Sequence, residues 1–190
     1  MITEPLFVAF GTPDYEWHLS ELAHTLQEFR LAHEIHYVPC LKDWNLNAQH
    51  KAVVIASCLE KHDRPIVYLD ADARVKQKPV RFWGLEADFA AHWREYRHGE
   101  LLSGTLYFEP TDAAKKLVAG WIQTNADCPR KWDQLNLSRC VEGFRAGLRI
   151  KELPASYCSI FDAKDMHDKE HPPVIEHLQA SRQLKSKVRT

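Results

Sequence analysis

A chain of 190 residues has room for one domain with a substantial core and hardly room for two. Its 25 Lys and Arg against 26 Asp and Glu leave a formal net charge of -1, so no global basic field points to nucleic acid and no acidic excess points to a disordered, solvating role. With 45% apolar residues and five scattered cysteines lacking any C-x-x-C pair, a soluble cytoplasmic protein with reduced thiols is expected, and a disulfide framework, a zinc knuckle, a signal peptide and a membrane span are not.

Leu6 to Phe10 is a short apolar run that ends at Gly11-Thr12-Pro13-Asp14, which predicts a first strand and a turn. Leu19, Leu22, Ala23, Leu26 and Phe29 then recur at helical spacing, and Ile35 to Val38 forms a second strand closed by Pro39. Strand, helix, strand is the opening of a parallel sheet with a right-handed crossover. Asn47 is a plausible cap for a helix to about His62, with Ala48, Ala52, Ile55, Ala56 and Leu59 as its stripe. Arg64-Pro65 breaks that helix, and the apolar run Ile66-Val67-Tyr68-Leu69 leads straight into Asp70-Ala71-Asp72.

Glu86 to Trp93 predicts another strand, as does Leu101 to Phe108, with Ser103-Gly104 inside it. A glycine within a strand often marks close approach of something to the backbone. Thr111-Asp112 caps a helix with Ala114, Leu117, Val118, Trp121 and Ile122 on one face. Trp132 opens a further helix through Phe144, ended by Gly147. Ile150 to Leu153 is a short strand, Pro154 to Asp162 a loop with a strand fragment, and Pro173 to Leu178 the last ordered element before a polar, basic tail.

The acidic pair carries the chemistry. Side chains two apart on a strand share a face, and in open α/β sheets the carboxyl ends of strands line ligand crevices. Two such anions repel each other unless a cation lies between them, and carboxylate oxygens suit a hard divalent ion. A solvated pair of acids in a turn is the bland alternative. An Asp-x-Asp at a strand end also resembles the nucleophile and acid pair of haloacid-dehalogenase-type phosphatases, which would use Asp70 and Asp72. Against that stand its position on a later strand, Arg74 where Thr or Val is expected, and the lack of a downstream Gly-Asp-x-x-x-Asp.

Four blocks together resemble the nucleotide-diphospho-sugar transferases of the GT-A fold, glycogenin-like and galactosyltransferase-like members above all: Tyr68 to Asp72, Leu102 to Phe108, Trp132 to Leu137 and Ile175 to Arg182. The resemblance spans nearly the whole chain. It implies one α/β domain over 1–182, a mixed and mostly parallel sheet flanked by helices, and a tail over 183–190. It implies metal-dependent transfer of a sugar from a nucleoside-diphosphate donor, UDP-linked, to an unidentified acceptor; a fold that only binds nucleotide sugar is the non-catalytic alternative.

Carried over, Asp72 and His177 would ligate Mn2+ or Mg2+, with Asp70 ligating it or holding the ribose; Mn2+ better tolerates imidazole, and a satisfied core or surface residue is the alternative for His177. Phe10, Gly11, Thr12, Tyr15, Lys51, Asp70, Ala71, Ser103, Gly104 and Arg182 would surround the donor. Within that set Thr12 would offer a hydroxyl, Tyr15 a stacking ring and Ser103-Gly104 a close backbone approach for substrate. A surface position is the alternative for Lys51, and a solvated basic tail the alternative for Arg182 and Lys185. Asp133 would hold sugar hydroxyls and Gln134 would face the reacting carbon, which tips the reading toward retention; Asp133, Asp162 and Glu176 are the base candidates if the enzyme inverts. The helix N-terminus alone also favours an acid at 133. So short a chain leaves acceptor recognition to segments 76–83 and 162–172 or to a second subunit, making a homo-oligomer an expectation. His167 and His171 have i, i+4 metal spacing in a stretch better read as solvated surface.

Overall fold

The computed structural model describes residues 3–41, 43–95, 99–166 and 170–184. Strand β1 (Leu6–Gly11) pairs in parallel with β2 (His33–Tyr37) on one side and with β3 (Ile66–Leu69) on the other. Strand β6 (Glu100–Phe108) runs antiparallel to both β3 and β5 (Phe89–Arg94), and β7 (Ile150–Glu152) closes the edge in parallel with β5. The order β2-β1-β3-β6-β5-β7 is therefore mixed through β6 alone.

Period-two alternation builds two cores. On β1, Leu6, Val8 and Phe10 face one side while Phe7 and Ala9 face the other; on β3, Ile66 and Tyr68 oppose Val67 and Leu69. The first side is covered by α2 (Trp44–Lys61), α3 (Asp112–Asp127) and α4 (Asp133–Phe144), through Ile55, Leu117, Trp121 and Leu137. The second is covered by α1 (Glu16–Glu28) through Leu19, Leu22 and Leu26. A strand buried on both faces reads as a continuous apolar run, which is why β1 and β3 stand out in the sequence.

Two expectations need correction. Helix α2 starts earlier than Asn47: Asp43 is the cap, its Oδ1 accepting from Leu46 N at 3.1 Å. The Asn47 carboxamide instead binds the backbone of Leu41, accepting from its N–H at 2.7 Å and donating to its carbonyl at 2.8 Å. The strand expected from Glu86 begins at Phe89.

The segment after Asp72 also holds an unexpected strand, β4 (Ala73–Val75), central residue Arg74, paired with β9 (Ile175–His177), which also pairs with β8 (Ser159–Ile160). This small second sheet brings the end of the described chain back against the acidic turn. Helix α5 (Ser181–Leu184) runs across the boundary drawn at 182, and 185–190, with Lys185, Lys187 and Arg189, lies outside the described residues, as does His167. Among the described residues no helix is long and apolar enough to cross a membrane.

One buried carboxylate ties three elements together. Asp88, ahead of β5, accepts from Thr111 Oγ1 at 2.9 Å, the hydroxyl that also caps α3, and from Arg149 N and Nη2, each at 2.8 Å. Hydrogen bonds from Arg149 hold its carboxyl down at about 2. Because the folded value lies below the unfolded one, the contribution is complete above about pH 4 and is lost as pH falls through about 2. The guanidinium is 62% exposed and partly screened, so we expect Asp88→Asn to cost about 1–2 kcal/mol at neutral pH. Denaturant melts should show the variant and the parent converging as the pH approaches 2, and equal gaps at both pH values would contradict the assignment.

Candidate active site

Phe10, Gly11, Thr12, Tyr15, Lys51, Asp70, Ala71, Asp72, Ser103, Asp133, Gln134 and Arg182 line one cavity of about 340 Å3 at the carboxyl ends of β1 and β3. Asp70 and Asp72 reach it from a turn between β3 and β4, closed by Ala73 N to Asp70 O at 2.9 Å, rather than by alternation along a strand. Two sequence candidates stand behind the wall: His177, only 2% exposed on β9, and Gly104 on β6.

Gly104 is where sequence reasoning found the right kind of position with the wrong occupant. A Cβ there would lie 2.9 Å from His177 Cε1 and 3.1 Å from its Nδ1, so the missing side chain makes room for the imidazole and not for substrate. Thr105 Oγ1 fixes the ring through Nε2 at 2.9 Å. That leaves Nδ1 facing Asp72 Oδ1 at 3.8 Å, too far for a hydrogen bond, and Nδ1 is buried with no hydrogen-bond partner.

Asp72 is held on its other side by the returning chain: Ala180 N donates to Oδ2 at 2.7 Å and Leu178 N to the backbone carbonyl at 3.3 Å. Gln179, between them, sits at φ 56, a left-handed conformation that aims the Ala180 N–H at the carboxylate. Burial works against ionisation of Asp72, but His177 and the Ala180 N–H outweigh it and hold its carboxyl below the usual range. Burial likewise disfavours a charged His177, yet Cys158 and Asp72 push it up to about 10. The surroundings favour positive charge between these two side chains. One ligand atom each from Asp70, Asp72 and His177 lies within 4.8 Å of the others, and with a free buried imidazole nitrogen among them the donor set fits a divalent cation such as Mn2+.

Lys51 is not a surface residue. It is 4% exposed, and its ammonium lies 3.0 Å from both Asp70 Oδ1 and Asp133 Oδ2 while donating to Ser103 O and Oγ at 3.1 Å. Burial alone would lower its pKa, but Asp133 and Asp70 raise it. Asp133 is fixed at the start of α4 by Trp121, whose indole donates to the Asp133 carbonyl at 3.0 Å. The Gln134 amide is also fully engaged, accepting from Ser103 N at 3.1 Å and donating to Glu100 Oε1 at 2.9 Å. Asp133 is therefore more than an acid at a helix terminus: its carboxylate is half of a buried ion pair.

Tyr15 stands at the first strand-to-helix crevice. Burial, then Asp72 and Asp70, push its phenol up to about 12, so it stays neutral, its oxygen accepting a hydrogen bond from Trp44. Arg182 reaches the cavity rim paired with Asp162.

Several lining residues escaped the sequence reading. Tyr68, whose hydroxyl donates to Asp70 Oδ1 at 3.0 Å, stands on β3 two residues before that acid, and its closeness in sequence could have flagged it. Trp44, Asn47, Arg94 and Glu100 carried no such signal. Segments 76–83 and 162–172 do meet: Val80, Arg81, Met166 and His171 line a second, chemically blander cavity of about 590 Å3 with Tyr157.

No protein-family model matches the sequence, and no curated protein matches it. Solved structures do share its fold. A glycosyltransferase involved in glycosylation of the major capsid of PBCV-1 superposes with a TM-score of 0.74 at 11% identity, covering 98% of each chain. The glycosyltransferase GlyE of Streptococcus pneumoniae TIGR4 gives 0.65 at 14% identity over 92% of this chain, which spans only 54% of GlyE. The galactosyltransferase LgtC, solved with donor and acceptor sugar analogs, gives 0.56 at 11% identity, covering 90% of this chain and 86% of LgtC. The architecture is the GT-A fold.

Proposed function

We propose that this GT-A chain is a metal-dependent glycosyltransferase that takes its sugar from a nucleoside-diphosphate donor, UDP-linked, with retention of configuration. The observation that carries the reading is the meeting of Asp70, Asp72 and the partnerless Nδ1 of His177 at the wall of the cavity that also holds Tyr15 and Asp133. In it, Tyr15 and Trp44 would receive the base, Thr12 and Asp70 the ribose, and Asp133 and Gln134 the sugar. Mn2+, held by Asp70, Asp72 and His177, would stabilise the negative charge that develops on the departing diphosphate. Arg182 would add positive charge at the rim.

Retention is supported by what the three base candidates are doing. Asp133 is bound by the Lys51 ammonium, Asp162 is paired with Arg182, and Glu176 faces Lys76 at 3.6 Å. None stands free to deprotonate an acceptor hydroxyl, as inversion would need. The acceptor would approach through segments 76–83 and 162–172.

Incubation with a panel of nucleotide sugars and Mn2+ should release nucleoside diphosphate slowly, stop on addition of EDTA and resume with excess Mn2+. Phosphate release from p-nitrophenyl phosphate would instead favour the phosphatase, and tight nucleotide binding without turnover the binding module.

A further inference from the structure

A second cluster of metal-binding side chains, distinct from Asp70, Asp72 and His177, lies where β2 meets α2. We propose that Glu34, His36, Cys58 and His62 form a zinc site that pins the edge strand β2 to the carboxyl-terminal end of α2. Glu34 and His36 are two apart on β2 and share the face toward the helix. Cys58 and His62 are four apart at the end of α2, where the His62 N–H also donates to the Cys58 carbonyl at 2.9 Å.

Glu34, His36 and Cys58 have the spacing of a ligand shell. Cys58 Sγ lies 3.6 Å from His36 Nε2, His36 Nε2 lies 3.6 Å from Glu34 Oε2, and His62 Nε2 lies 2.9 Å from Glu34 Oε1. Around a tetrahedral zinc with bonds of about 2.3 Å to sulfur and about 2.0–2.1 Å to nitrogen and oxygen, neighbouring donor atoms are ~3.3–3.6 Å apart. Atoms of Glu34, His36 and Cys58 all fall within 4.8 Å of one another. His62 lies outside that set; its Nε2, buried without an aligned hydrogen-bond partner and 2.9 Å from Glu34 Oε1, would supply the fourth donor by a turn of its ring.

Lys61, the present partner of Glu34 at 3.1 and 3.2 Å, is 62% exposed and free to follow one carboxylate oxygen while the other turns to the ion. One thiolate, two imidazoles and one carboxylate select zinc over Mg2+ or Ca2+, and four protein ligands leave no position open for catalysis. The role is therefore structural. On α2, Lys51 of the active site is 11 residues from His62, a rise of about 16 Å, and the two metal sites share no ligand.

The test uses the full chain, stripped with chelator and titrated with Co2+. One equivalent should give near-ultraviolet thiolate-to-cobalt absorption, displaced by Zn2+, absent in Cys58→Ser and retained in Cys158→Ser and Asp72→Ala. Because Cys58 is buried and its variant could misfold, His36→Ala and His62→Ala, both partly exposed positions, provide the second measurement. Each should weaken Zn2+ affinity at least ~10-fold and remove the rise in melting temperature that Zn2+ gives the parent. No thiolate band, a band that survives Cys58→Ser, or an equal thermal shift in both histidine variants would overturn the site, whatever the outcome with nucleotide sugars.

Discussion

Replacing Lys51 by methionine is expected to lower the unfolding free energy at neutral pH by about 3–5 kcal/mol, the range for a buried charge stripped of its partner. The volume is nearly conserved, so packing is not the cause. The ammonium balances two carboxylates at 3.0 Å, and of these Asp133 has a side chain only 6% exposed while that of Asp70 is 38% exposed. Water can solvate Asp70 after the change; it cannot reach Asp133. A carboxylate left buried without a cation prefers to be protonated, so in the variant its folded pKa rises above the unfolded one. The folded state then binds more protons than the unfolded state, and stability increases as pH falls. Denaturant melts should therefore show the deficit of Lys51→Met shrinking as the pH is lowered toward about 5. A deficit independent of pH would mean that lost packing, and not the stranded charge, is responsible. Restoring neutrality with Lys51→Met/Asp133→Asn should recover much of the loss, since removing both partners of a buried pair costs far less than removing one.

That strut shows where the sequence becomes silent. Apolar runs fully buried on both faces announce β1 and β3, and the acids that follow β3 are conspicuous because they end such a run. Lys51 looks like any helix-surface lysine, because Ser103, one of its anchors, is 52 residues away in sequence. Strand β4 was hidden for a related reason. Its central residue, Arg74, is 7% exposed, with Nη1 donating to His18 O at 3.2 Å and Ala73 O at 2.7 Å, and no local pattern reveals a guanidinium buried that way. The α2 boundary slipped because Asp43 and Asn47 are both good caps, and only the Leu41 backbone decides which one is otherwise engaged. His177 entered the candidate site solely through the resemblance of its block; nothing in its spacing from the acids, more than a hundred residues earlier, could place it beside them. The cluster of Glu34, His36, Cys58 and His62 went unread, because its two pairs meet only where β2 lies against α2.

The glycine behind His177 gives the second large effect. Gly104→Ala should abolish Mn2+-dependent donor turnover, or reduce it at least ~100-fold, with only about 1–3 kcal/mol lost in stability. The added methyl would meet the imidazole at 2.9 to 3.2 Å on three ring atoms. The ring has no easy way out: it is 2% exposed and tethered to Thr105, while β9 is held on both sides by β4 and β8. A shift of a few tenths of an ångström relieves the contact but moves Nδ1 relative to Asp72, and a ligand set tolerates that poorly where a core tolerates it well. The expected signature is a weakened Mn2+ titration in a protein that remains folded, with nucleotide binding in the absence of metal little changed. Asp72→Ala should give the same loss of metal binding through the opposite partner. If Gly104→Ala instead binds Mn2+ as the parent does and loses only donor affinity, the glycine serves the substrate after all, and the imidazole behind it is an ordinary buried side chain.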